Sequence, residues 1–63
     1  MTATIDEIAD AVIACERRAE EAAGQAAAAR QRGGVMYWAG YEQAYREAAD
    51  ALFRLGNRLA AAS

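Results

Sequence analysis

The chain has 63 residues, a formal net charge of −2, one cysteine and no histidine. A domain of this length has a marginal core, and disulfides, bound metals or oligomerisation usually supply the missing stability. One cysteine cannot form an internal disulfide, and no set of cysteines and histidines offers the ligands of a structural zinc. We therefore expect association with another chain.

The composition favours helices, because alanine is the commonest residue and proline is absent. All seven basic residues are arginines, and they alternate with carboxylates instead of forming a basic stripe, so we expect no nucleic-acid binding. Uncharged runs are too short for a membrane span or a signal peptide. We expect a cytoplasmic protein, although secretion without a signal peptide would leave the same sequence features.

The first helix is expected to begin at a capping box. In Thr4-Ile5-Asp6-Glu7 the threonine and the glutamate three residues later can satisfy each other's free backbone amides. Small or apolar residues then recur at spacings of three and four, as in a heptad pattern. They are Ile5, Ile8, Val12, Cys15, Ala19, Ala22, Ala26 and Ala29.

A reversal is expected at Gly33-Gly34, because the basic segment 30–32 followed by glycine is typical of a helix end. A second apolar series follows, formed by Trp38, Tyr41, Tyr45, Ala48, Leu52, Leu55, Leu59 and Ala62. The pattern predicts one domain over 1–63, with helices over about 5–32 and 35–61. The alternative is one continuous helix of about 90 Å, which two adjacent glycines disfavour.

The two series predict an all-α, antiparallel two-helix hairpin. Folding the chain at the glycine pair places Ala29 opposite Trp38 and Ile8 opposite Leu59. The aromatic residues of the second helix then face alanines of the first, and large side chains against small ones fill space well.

One hairpin leaves apolar residues outside this contact. Ile13 and Phe53 are predicted to lie level on the same face, together with Trp38, Ala49 and Gly56. We expect this face to be a protein interface, with a second copy completing a four-helix bundle. The alternative is that Phe53 is an isolated exposed residue.

Met36 and Tyr37 lie beside the expected turn, on the flank opposite Phe53. Tyrosine is a frequent interface anchor. If the hairpin contacts a different protein, we expect this tip to contribute.

No feature of the sequence favours catalysis. The absence of histidine excludes the familiar triads. Glu16 and Glu20 have the spacing of carboxylates in di-iron bundles but lack the accompanying Glu-x-x-His motif, so surface carboxylates are the simpler interpretation. Cys15 is expected in the core, the alternative being a disulfide between two copies. We predict no enzyme, cofactor, metal or small-molecule substrate.

Two resemblances are relevant to function. Trp38-Ala39-Gly40 resembles the Trp-x-Gly signature of ESX-type secreted helical hairpins, but the Tyr-x-x-x-Asp/Glu signal expected after it is absent. The layout is similar to that of two-helix co-chaperones of type III secretion and of small phage proteins that block a host complex.

We therefore expect a homodimeric, non-catalytic module that binds and modulates another protein, for example as a phage-type inhibitor. The alternative is a structural or co-chaperone subunit of a hetero-complex.

Overall fold

The computed structural model describes residues 4–62, which form a hairpin of two helices. Helix α1 covers Ile5–Ala28, and helix α2 covers Arg32–Ala62. Of the described residues 93% are helical, and none of them lies in a strand. The expected all-α hairpin is confirmed. The single continuous helix is excluded, since the molecule measures 48 × 18 × 13 Å.

Helix α1 begins at the predicted cap. Thr4 has an extended backbone, and its Oγ1 accepts a hydrogen bond of 3.1 Å from the backbone N–H of Glu7. The Thr4 carbonyl accepts the first helical bond, 3.0 Å from the N–H of Ile8. This cap satisfies an amide that would otherwise be left without a partner at the start of the helix.

The chain reverses three residues earlier than we predicted. Helix α1 ends at Ala28, and Ala29 leaves it with an extended ψ of 134°. Gly33 and Gly34 lie inside the first turn of α2, whose first bond runs from Val35 N–H to the Gln31 carbonyl.

The glycine pair was a misleading signal because this reversal does not use a left-handed residue. No described residue has a positive φ. Gly34 lies beside Ala29, but a Cβ built at Gly34 would meet the Cβ of Ala29 at 3.4 Å, an ordinary van der Waals contact, so this position does not require glycine.

Helix α2 also pairs with α1 in a different register from the one predicted. A Cβ at Gly56 would lie 3.3 Å from Cγ2 of Ile8, so Ile8 lies opposite Gly56 and not Leu59. At the closed end Ala29 lies against Gly34 and not Trp38. The register is shifted by about one helical turn.

The face of α2 that meets α1 is rotated accordingly. The half-buried or buried positions are Gly34, Trp38, Glu42, Tyr45, Ala49, Leu52 and Gly56. Ala49 and Gly56, which we assigned to an outer face, therefore belong to the contact between the helices. Their small size lets the alanines of α1 approach closely, which increases the number of dispersion contacts.

The interior of the hairpin is small. Among residues 4–62 the buried apolar side chains are Ile8, Ala19, Ala22 and Ala49. Three of these four are alanines, each of which contributes only a methyl group to the core. Large apolar side chains consequently lie at the edges of the hairpin or outside it.

Candidate interaction surfaces

The first surface is a groove between the helices at the end where the chain termini lie, which we call the open-end groove. Its floor contains Ile8, Val12 and Gly56, and its volume is about 370 Å³. The remaining lining residues are Ile5, Ala9, Ile13, Glu16, Leu52, Phe53, Asn57 and Ala60. Because Gly56 has no side chain, Ile8 packs directly against α2 at this floor, 3.3 Å from where a Cβ of residue 56 would lie.

Ile13 and Phe53 both line this groove, as their positions in the two helices predicted. They are 50% and 57% exposed. Gly56 is also in the groove, but as part of its floor. Ala49 lies in the adjoining depression beside Phe53, and Trp38 lies in a separate depression with Tyr41. The five predicted interface residues therefore do not form one continuous surface.

Charged residues extend the groove toward the middle of the hairpin. The depression next to Phe53 is lined by Glu16, Glu20, Asp50 and Arg46. Arg46 donates from Nε to a Glu42 carboxylate oxygen at 2.8 Å, so its charge is already paired. The margin of the groove is acidic as a result.

The second surface is a row of apolar residues along α2, which we call the outer stripe. Its members are Tyr37, Tyr41, Ala44, Ala48, Ala51, Leu55, Leu59 and Ala62, at spacings of three and four. All eight are exposed. Tyr41, Leu55 and Leu59 are each about two-fifths exposed despite their size. Most of these residues were predicted to face α1.

The outer stripe was missed because α2 has two adjacent apolar rows with the same spacing. Trp38, Tyr45 and Leu52 lie in the row that meets α1, but their spacing also continues the series through Tyr41 and Leu55. The large size of Tyr41 and Leu55 favoured the wrong row in the sequence analysis. The apolar arc of α2 is much wider than a single helix contact needs. That width is the signal that could have revealed the second row.

Aromatic rings cluster where the outer stripe reaches the turn. Tyr37 makes an edge-on contact with Trp38 at a centroid distance of 5.1 Å and a tilted one with Tyr41 at 5.0 Å. A side-chain hydrogen bond with Tyr41, and then the charge of that phenol when ionised, raise the pKa of Tyr37 above its usual value. Met36, the other residue predicted for the tip, is 66% exposed.

Within the described part of the chain, no three or more His, Cys, Asp or Glu side chains are grouped so that they could hold a metal ion. Cys15 is a free thiol, half-buried between the helices. Glu16 and Glu20 both line the acidic depression.

Neither α1 nor α2, over the residues described, is long and apolar enough to cross a membrane. Comparisons with protein-family models, with curated proteins and with solved structures found no match. Function is therefore inferred from the two surfaces.

Proposed function

We propose that this hairpin is a non-catalytic protein-interaction module that associates with a second copy of itself and binds another protein. The supporting observation is its exposed area. The solvent-accessible surface is 5029 Å², whereas a compact monomer of 6.7 kDa exposes about 3,900 Å². The difference is about 1,100 Å², and a stable interface buries about 800 Å² on each partner.

The distribution of apolar residues supports the same proposal. Full burial of one large apolar side chain stabilises a fold by about 1.5 to 3 kcal/mol, and most such side chains of this hairpin are outside its core. The exposed large residues are Ile5, Ile13, Val35, Met36, Tyr37, Tyr41, Phe53, Leu55 and Leu59. Association is the way to bury them.

Thermal unfolding at different protein concentrations tests self-association. If folding is linked to dimer formation, the melting temperature followed by circular dichroism rises with concentration. Light scattering should give twice the chain mass at the higher concentrations. A monomeric mass with a melting temperature independent of concentration would contradict the proposal.

The open-end groove is assigned to the other protein. A concave surface cannot be filled by an identical concave surface, so it requires a protruding side chain from a different chain. The apolar floor suits a large aliphatic or aromatic residue, and the acidic margin at Glu16 and Glu20 suits neighbouring arginines or lysines. The proposed occupant is an amphipathic helix with an apolar anchor and basic flanks. An inhibitor and a co-chaperone subunit could both use such a contact.

An apolar anilinonaphthalene dye can probe this groove. We expect Phe53→Gln to abolish most of the dye fluorescence and Met36→Gln, an equally exposed control outside the groove, to leave it unchanged. A helical peptide of leucine and lysine should displace the dye, whereas a leucine and glutamate peptide should not. Equal fluorescence in both variants, or displacement by both peptides, would contradict the assignment.

A further inference from the structure

The outer stripe is apolar along almost the whole of α2, yet all eight of its residues remain exposed in the hairpin, with Tyr41, Leu55 and Leu59 each about two-fifths exposed. Its residues recur at spacings of three and four from Tyr37 to Ala62, which is the pattern of a helix-to-helix contact. The described part of α1 already packs against the neighbouring row of α2. The stripe therefore has the form of a second helix contact, and no third helix covers it within residues 4–62.

The order of side-chain sizes along the stripe is suited to an antiparallel copy of itself. If the two copies cross between Ala48 and Ala51, these two small residues face each other at the centre. Leu55 of one copy then lies opposite Ala44 of the other, and Tyr37 lies opposite Ala62. Tyr41 lies opposite Leu59, so each side of the axis has one contact between two large side chains, flanked by pairs in which a large residue meets an alanine, as close packing favours.

We propose that a second copy of this chain docks on the outer stripe, with the two α2 helices antiparallel about a twofold axis between Ala48 and Ala51. This inference rests on the proposed self-association and specifies its surface. It replaces the Ile13 and Phe53 face as the site of dimer formation and leaves the open-end groove free for another protein.

The geometry of α1 agrees with this docking. Residues on the Tyr41 side of the hairpin include Arg18, which lines a depression with Tyr41. Ala14 and Ala11 lie one and two turns before Arg18 on that side, near the level of the proposed axis. Their small side chains leave room for α1 of the second copy, so the dimer is a four-helix bundle in two layers.

The exposed area also suits a second copy. A contact along the stripe extends over about 37 Å of helix. Because the axis is twofold, both copies contribute the same residues to it. An interface of this length accounts for the excess area of the monomer without involving the groove.

Single-cysteine variants in a Cys15→Ala background test the contact with a short bis-maleimide cross-linker. Antiparallel pairing separates the two copies of position 48 by about 5 Å along the helix axes and the two copies of position 62 by about 37 Å. We expect covalent dimer from Ala48→Cys and none from Ala62→Cys. Asn57→Cys, exposed at the groove, should also give none.

Other outcomes overturn the proposal in distinguishable ways. Cross-linking of both Ala48→Cys and Ala62→Cys would indicate parallel helices, and cross-linking of Asn57→Cys alone would move the dimer contact to the groove. If no variant cross-links while the native chain has a dimeric mass, the outer stripe is wrong but self-association stands. If the native chain is monomeric, both proposals fail.

Discussion

The open-end groove and the outer stripe are both apolar, but they differ in shape. The groove is concave, because its lining residues come from both α1 and α2 on either side of a floor where Ile8 packs against Gly56. The outer stripe belongs to one helix and projects from it, with Tyr41, Leu55 and Leu59 as its largest side chains. We propose that the concave groove takes a different partner, whereas the stripe, whose central residues Ala44, Ala48 and Ala51 are small, pairs with itself. The two surfaces have similar apolar composition, so their different shapes are the basis for assigning them different roles.

The largest expected effect comes from placing a charge in the outer stripe. Leu55→Arg should weaken self-association at least about a hundredfold, equivalent to about 2.7 kcal/mol, because each dimer would bury two unpaired charges. Sedimentation equilibrium measures this change. Phe53→Arg is the matched control in the groove and should leave the dimer intact. A dimer lost in Phe53→Arg and kept in Leu55→Arg would reverse the roles of the two surfaces.

A second variant tests the contact between α1 and α2 independently of the groove and the outer stripe. Ala19 is fully buried between the helices, so Ala19→Leu should overpack that contact and lower the free energy of unfolding by about 1 to 3 kcal/mol. Ala27→Leu, at an exposed position of α1, should have little effect. Chemical denaturation of both variants at one concentration provides the comparison. Equal stability would mean that the helices do not approach as closely as Ala19 indicates.

Two glycine variants test the close contact between Gly56 and Ile8 at the floor of the groove. Gly24→Ala meets no atom within 4 Å and should stabilise α1 by about 1 kcal/mol through helix propensity. Gly56→Ala should gain less or lose stability, because its Cβ would lie 3.3 Å from Ile8 Cγ2. It should also reduce dye binding in the groove. Urea unfolding measures the two effects, and an equal gain in both variants would contradict the close contact at Gly56.

Much of the fold follows from local sequence signals. The Thr4 cap and the two helices were predicted. The ion pairs Glu42 with Arg46 at 2.8 Å and Asp50 with Arg54 at 3.1 Å join residues four apart, a spacing that can be read directly from the sequence. These features depend on neighbours within one or two turns of the chain. The presence of Ile13 and Phe53 at one groove also followed from helical geometry.

The turn and the rotation of α2 could not be derived in the same way. Ala29 is a good helix former, so no local signal marks the end of α1 at Ala28. On α2, Tyr41 and Ala49 belong to neighbouring apolar rows, so local periodicity allows either row to face α1. The choice depends on how closely the alanines of α1 can approach, which is a property of the assembled pair.

The smallest expected effect concerns the acidic margin of the groove. Glu20→Gln should weaken binding of the leucine and lysine peptide by a few tenths of a kcal/mol, since exposed charge pairs contribute little. The effect should vanish at high salt, and the dimer mass should not change. Peptide titration at low and high salt measures it. Weaker binding that persists at high salt would show that charge is not the cause.

A distance between the two copies tests the central claim most directly. A nitroxide attached at Arg58→Cys in the Cys15→Ala background lies outside the outer stripe and is exposed. Antiparallel pairing about Ala48 and Ala51 places the two labels about 30 Å apart, since they are offset by some 17 residues along the helices. Pulsed electron paramagnetic resonance should show one distance near this value. A distance below about 15 Å, or no coupling between labels, would contradict docking through the outer stripe.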